Sequence, residues 1–276
     1  MTSIAITGAT GFVGGAVARA LAADGVAQRL IVRDPARAPQ LSHASVVVAD
    51  YGDREASLAA LDGIEVLFMV SAAENEARRA QHESFIAAAR DAGVGHVVYT
   101  SFVGASADCT FTLGRDHWAS EQAIRASGMD FTFLRDNFYS DFMPFMVGED
   151  HVLRGPAGDG RAAIVARADV AKTAAVVLRE PQRHAGATYE LTGPEALTMS
   201  QVAGILAAAS GDPIRYRDET IAEAYASRAI WKAPDWQVDA WVSTYTSIAN
   251  GEMAAVSSDI QRLTGTAPRS LAHILG

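Results

Sequence analysis

The sequence predicts an α/β protein built on a doubly wound parallel sheet, with a smaller C-terminal region capping the sheet's end. Three observations carry that prediction. Strand-like and helix-like runs alternate through the first half of the chain. The strand-like runs are almost continuously apolar, as strands covered on both faces are. The first of them leads directly into Gly8-x-x-Gly11-x-x-Gly14 and then into a helical stretch.

Taken in order, Ser3 to Thr7 is short, β-branched and uncharged, and reads as the first strand. The helical stretch after the glycines runs to about Asp24 and closes at Gly25. Arg29 to Arg33 is a second strand, stopped by Asp34-Pro35. Ala44 to Ala49, Glu65 to Val70, Gly95 to Ser101 and Asp130 to Leu134 read as strands three to six. Helical patterns over Arg54 to Leu61, Glu76 to Ala92 and His117 to Ala126 fill the gaps, with Gly93 and Gly128 at C-cap positions. Right-handed crossovers then produce the doubly wound, Rossmann arrangement. After about residue 136 the alternation weakens. Gly155 to Gly160 is a turn-rich loop, Arg167 to Leu178 and Ser200 to Ala209 look helical, and the tail from Glu219 is mostly helical. The boundary is placed at residue 150: 1–150 as the dinucleotide-binding domain and 151–276 as the smaller substrate region, with a strand near 187–191 returning to the main sheet.

The 276 residues include 32 acidic and 23 basic side chains, a net charge of -9. Such a chain repels nucleic acid and anionic lipid. The single Cys109 forms no internal disulfide, and the seven histidines are too scattered for a metal motif. The N-terminus opens on a strand, leaving no room for a signal peptide, and no apolar run approaches the ~20 residues that span a bilayer. The expectation is a cytoplasmic protein without metal, nucleic-acid or membrane partners. A homodimer is compatible with the sequence.

The glycine triplet gains meaning from its place between strand and helix. Gly8 permits a tight turn, Gly11 lets the backbone approach a pyrophosphate, and Gly14 lets the helix pack on the sheet. Thr10, Phe12 and Val13 complete that cradle at the helix N-terminus. The end of the second strand selects the coenzyme. A carboxylate there accepts from the 2′-hydroxyl of NAD, and a cation there pairs with the 2′-phosphate of NADP. Arg33 stands at that end, followed by Asp34. A guanidinium–phosphate contact is worth roughly 1.5–3 kcal/mol, about ten- to a hundredfold in affinity. NADP(H) is therefore favoured, with Asp34 and NAD as the alternative. Asp50, at the end of the third strand, either reaches the adenine edge or caps the next helix. Ser71, after the fourth strand, lines the coenzyme's middle.

Several segments together resemble a family. They are Gly8-Ala9-Thr10-Gly11-x-x-Gly14, Val32-Arg33-Asp34-Pro35, Asp50-Tyr51, Ala92-Gly93-Val94-x-His96 and Tyr99-Thr100-Ser101. They continue in His117-x-x-x-Glu121, Leu134-Arg135-x-Asn137-x-Tyr139, Ala157-Gly158-Asp159-Gly160, Arg167-Ala168-Asp169 and Ser258-Asp259-Ile260-x-Arg262-Leu263-Thr264-Gly265. Nearly the whole chain thus resembles the NmrA-like branch of atypical short-chain dehydrogenase/reductases, and within it the quinone and triphenylmethane reductases. That resemblance implies NADPH use and reductase activity on a quinone or similar flat aromatic molecule. An NmrA-type coenzyme sensor without turnover is the rival reading, and a nucleotide-sugar epimerase a third.

One absence bears on mechanism. Ordinary members of the superfamily carry Tyr-x-x-x-Lys, but the two lysines, Lys172 and Lys232, do not lie four residues after a tyrosine. His117-x-x-x-Glu121 stands where that helix begins, with both side chains on one helical face. Alcohol chemistry needs a strong acid/base, whereas an electron-poor quinone accepts hydride directly once two flat rings are aligned. The catalytic candidates are His117, Ser101, Asn137 and Tyr139. His117 either donates a proton or pairs with Glu121, and Ser101 either bonds a carbonyl or caps a turn. Asn137 and Tyr139 begin an aromatic- and Met-rich segment, through Met146, that forms either a substrate wall or plain core.

Overall fold

A computed structural model describes residues 3–276. In chain order the elements are β1 (Ile4–Thr7), α1 (Phe12–Ala23), β2 (Gln28–Val32), β3 (Ala44–Val48), α2 (Arg54–Leu61), β4 (Val66–Met69), α3 (Arg78–Asp91), β5 (His96–Phe102), α4 (Thr112–Ala126) and β6 (Asp130–Asp136). Then follow β7 (Val152–Gly155), β8 (Arg161–Ala162), α5 (Arg167–Arg179), β9 (Ala187–Leu191), β10 (Leu197–Thr198), α6 (Met199–Ser210), β11 (Arg215–Asp218), α7 (Ile221–Arg228), α8 (Asp235–Ala249), α9 (Asp259–Thr264) and α10 (Leu271–Leu275).

Seven strands form one sheet in the order β3-β2-β1-β4-β5-β6-β9. The pairs β1–β2, β2–β3, β1–β4 and β4–β5 are parallel. The chain first winds outward from β1 to β3, then returns to the other side of β1 at β4. The strand order therefore reverses between β1 and β4, which is where open α/β sheets take their ligands.

The apolar strand sequences account for the core. Every residue of β4 and of β5 is buried. Leu67, Met69, Val97 and Tyr99 pack with Phe85, Ile86 and Ala89 of α3 and with Ile124 and Phe133. β3 is the exception, with Val46 and Val48 exposed, as an edge strand permits.

The chain forms two compact units. The first comprises the chain up to Ser101, then Asp116–Arg135 and Ala168–Tyr189. The second comprises Phe102–Arg115, Asp136–Arg167 and Glu190–Gly276. The partition interleaves along the sequence, whereas the sequence alone suggested a single boundary at residue 150. The second unit has its own core, in which Met143, Leu153, Ile164, Met199, Leu206 and Tyr245 pack together. Two short ladders brace it, β7–β11 parallel and β8–β10 antiparallel. Helix α4 starts at Thr112, five residues before the expected start at His117, because the Ser243 hydroxyl accepts from the Thr112 amide at 3.2 Å.

Candidate active site

The site grows from the C-terminal end of β1. Gly8 turns the chain with a left-handed φ of 64°, and a Cβ there would meet Val70 at 3.0 Å. The Gly11 amide then donates to the Gly8 carbonyl at 2.9 Å, and α1 begins at Phe12. A Cβ on Gly14 would lie 2.5 Å from the Gly8 oxygen and 2.6 Å from the Thr7 oxygen. Only glycine lets α1 approach β1 so closely, which leaves the first turn of the helix beside the loop.

A cavity of about 170 Å³ opens at this point. Gly8, Thr10, Arg33, Asp50 and Ser71 all line it, so five of the expected coenzyme residues share one space. Gly11, Phe12, Val13 and Gly14 follow at the start of α1, with Phe12 partly exposed and Val13 turned into the core. Arg33 is exposed on the cavity lining, while the Asp34 carboxylate is engaged by the Ala36 amide at 3.0 Å as the cap of a 3-10 turn. Asp50 accepts from the Gly52 amide at 2.9 Å and does not cap α2, whose cap is Asp53. A glycine cradle, an exposed guanidinium and the end of β3 make a donor set suited to a phosphorylated dinucleotide.

The loop after β4 also lines the cavity. Its backbone is held by side chains none of which is among the expected site residues. Thr7 Oγ1 accepts from the Val70 amide at 2.8 Å, and the Tyr51 hydroxyl donates to the Val70 carbonyl at 2.6 Å. Burial pushes the Tyr51 phenol well above its usual range, so it keeps the proton it donates. Thr100 Oγ1 accepts from the Ser71 amide at 2.8 Å. His82 Nε2 accepts from the Ala72 amide and Arg78 Nε donates to the Ala72 carbonyl, each at 3.0 Å. Arg78 and His82 lie four residues apart at the start of a helix that follows a coenzyme-type strand, and that spacing was the available signal.

The proposed catalytic groups are all engaged within their own units. Ser101 is fully buried and donates to Glu121 Oε1 at 2.6 Å. His117 is 7% exposed. Its Nε2 lies 3.0 Å from Arg78 Nη2 and its Nδ1 3.1 Å from the Tyr99 hydroxyl. Arginine has no acceptor, so Nε2 accepts and the imidazole proton sits on Nδ1. Burial, with Arg78 and His82 nearby, holds the His117 pKa well below the ordinary histidine range. Glu121 therefore pairs with Ser101 and Arg135, and His117 with Arg78 and Tyr99. In the second unit, Asn137 donates to the Met253 carbonyl at 3.0 Å and accepts from the Phe138 amide at 2.7 Å. The Tyr139 hydroxyl donates to Asp136 at 2.5 Å, and burial with that carboxylate raises its pKa far above 10.0. Of the segment beyond, Met143 enters the core, whereas Phe142 is partly exposed and Phe145 is 82% exposed.

A doubly wound sheet with a glycine-lined crevice at its switch point defines the dinucleotide-binding class of Rossmann proteins. The chain belongs to the NmrA-like family, whose model matches residues 1–248. It is 35% identical over 278 residues to quinone oxidoreductase 2 of Escherichia coli (strain K12), covering 98% of this chain and 96% of the relative. Among solved structures, the NADPH complex of the NADPH-dependent quinone oxidoreductase from Escherichia coli matches with a TM-score of 0.89 at 34% identity, over 99% of this chain and 98% of that one. The Citrobacter sp. triphenylmethane reductase complexed with NADP(H) matches with a TM-score of 0.86 at 30% identity, over 98% of each chain. No helix among the described residues is long and apolar enough to cross a membrane.

Proposed function

We propose that the protein is an NADPH-dependent oxidoreductase whose hydride acceptor is a quinone or another electron-poor conjugated aromatic. The coenzyme assignment is supported by the crevice and by relatives crystallised with NADPH. Arg33 pairs with the 2′-phosphate, and Gly8, Thr10, Gly11, Phe12, Val13 and Gly14 cradle the pyrophosphate. Asp50 lies toward the adenine and Ser71 along the coenzyme's middle. When bound, NADPH supplies a hydride.

The observation that carries the acceptor class is the engagement of every candidate acid. Ser101, His117, Asn137 and Tyr139 each spend their polar atoms on internal bonds. Reducing an ordinary carbonyl or oxidising a carbinol requires a group that gives or takes a proton at the reacting oxygen. Hydride transfer turns a quinone into an aromatic hydroquinone monoanion, and water suffices to supply the one remaining proton. This chain's share of the work is then to hold flat partners in register.

The test is steady-state oxidation of NADPH with benzoquinone and with a triarylmethane dye. Turnover that prefers NADPH to NADH is expected. NADPH binding with no oxidation above background for any such acceptor would favour a coenzyme sensor instead.

A further inference from the structure

Ser71, Ala72, Ala73 and Asn75 line the cavity, and the first three have almost no side chain with which to anchor themselves. A loop of that composition is ordinarily mobile. Here five backbone groups between Val70 and Ala72 are bonded by Thr7, Tyr51, Thr100, His82 and Arg78. Ala72 is the extreme case, with its amide and its carbonyl both taken by side chains of α3.

Arg78 is 3% exposed. A buried guanidinium must have its donors satisfied. Beyond Ala72, it reaches Asp116 Oδ2 at 3.3 Å and His117 Nε2 at 3.0 Å, both on α4. His82 is wholly buried, and its Nδ1 lies 2.8 Å from Ser120 Oγ, also on α4. Ser120 already donates to the Asp116 carbonyl at 2.8 Å, so Nδ1 is the donor to Ser120 and Nε2 the acceptor from Ala72. Each histidine thus works as a neutral ring with one acceptor and one donor; His117 belongs to α4, and His82 is tied to it through Ser120.

We propose that Arg78, His82 and His117 are positioning residues that clamp the β4–α3 loop onto α4, presetting one wall of the coenzyme cavity. The proposal rests on the coenzyme assignment above. A wall ordered in advance lowers the cost of binding. It also gives His117 a definite task, as the neutral acceptor that holds Arg78, in place of proton donation. Burial and the Arg78 charge keep His82 at a pKa of about 3, consistent with a ring that stays neutral.

Three readouts test this: NADPH affinity by fluorescence titration, steady-state constants with benzoquinone, and hydrogen exchange of residues 70–75 in coenzyme-free protein. Arg78→Lys keeps the charge and loses the forked donor set. It should raise the Kd and KM for NADPH about tenfold, leave kcat within about threefold, and speed exchange in the loop. His117→Leu should behave alike, while His117→Gln, whose amide oxygen still accepts from Arg78, should stay within about threefold of wild type throughout. Where His117→Leu does not fold, Arg78→Lys and His117→Gln decide the matter. Unchanged exchange and affinity in Arg78→Lys overturn the clamp. A kcat about a hundredfold lower in His117→Gln at unchanged KM also overturns it, because the ring would then touch the reacting atoms. Wild-type protein that binds no NADPH, with Arg78→Lys still exchanging faster, overturns the coenzyme assignment and leaves the loop clamp standing.

Discussion

The Arg135 guanidinium holds both carboxylate oxygens of Glu121, with Nε and Nη2 each 2.8 Å from their acceptor. Glu121 is 1% exposed and Arg135 21%. Ser101 adds a third bond to the same carboxylate. Removing one partner strands a buried charge, which costs more than the pair contributes. Arg135→Ala should therefore destabilise the protein by about 3–5 kcal/mol in urea unfolding. The apolar double change Glu121→Leu with Arg135→Met should cost much less. Equal losses in both would contradict a stranded charge as the cause.

Arg33 and Asp34 stand side by side with opposite consequences for coenzyme choice. The Asp34 carboxylate is engaged by the Ala36 amide, and of the two neighbours it is the Arg33 guanidinium that lines the cavity. Arg33→Ala should weaken NADPH by at least about tenfold and leave NADH unchanged. Isothermal titration with both coenzymes measures this, and an equal loss for the two would remove Arg33 from the 2′-phosphate.

The close approach of α1 to β1 depends on the missing side chain at Gly14. A methyl group there meets the Gly8 and Thr7 carbonyl oxygens. Gly14→Ala should lower stability by about 1–3 kcal/mol through overpacking and weaken NADPH binding as the loop shifts. A variant with wild-type melting and affinity would show that the helix can move away freely.

Stability should depend on pH through the buried imidazoles. Burial, then Arg78, lowers the pKa of His82 from 6.5 to about 3, and the same causes lower that of His117. The unfolded chain takes up protons below about pH 6.5 that the folded state refuses. Their contribution is therefore intact above pH 6.5 and is lost as the pH falls toward the folded-state values. The slope is about 1.4 kcal/mol per pH unit for each histidine. Urea melts between pH 7 and pH 4.5 should reveal it, and His82→Gln should remove one histidine's share. A flat profile would mean that these rings take up protons in place.

The glycine-loop half of the cavity was legible because its determinants are local. A glycine triplet between strand and helix, and the residue ending the second strand, keep their meaning whatever the rest of the chain does. The other half depends on partners far apart in sequence. Nothing near Ser101 announces that its hydroxyl donates to Glu121, or that Arg135 occupies the carboxylate that the spacing offered to His117. The start of α4 was misplaced for the same reason, since its first amide is satisfied from Ser243. β11, Arg215–Asp218, is charged at three of its four positions and is held as a strand by pairing with Val152–Gly155.

The chain returns to the first unit twice, and the last segment, Ala168–Tyr189, supplies most of α5 and of β9. During synthesis the ribosome therefore delivers β6 well before the strand that will cover its free edge. A gene fragment ending near residue 150 would freeze that interim condition, with an open flank ready to associate with other chains. Expression of residues 1–150 alone is thus expected to give aggregates, and a soluble minimal version must carry the chain through at least Leu191.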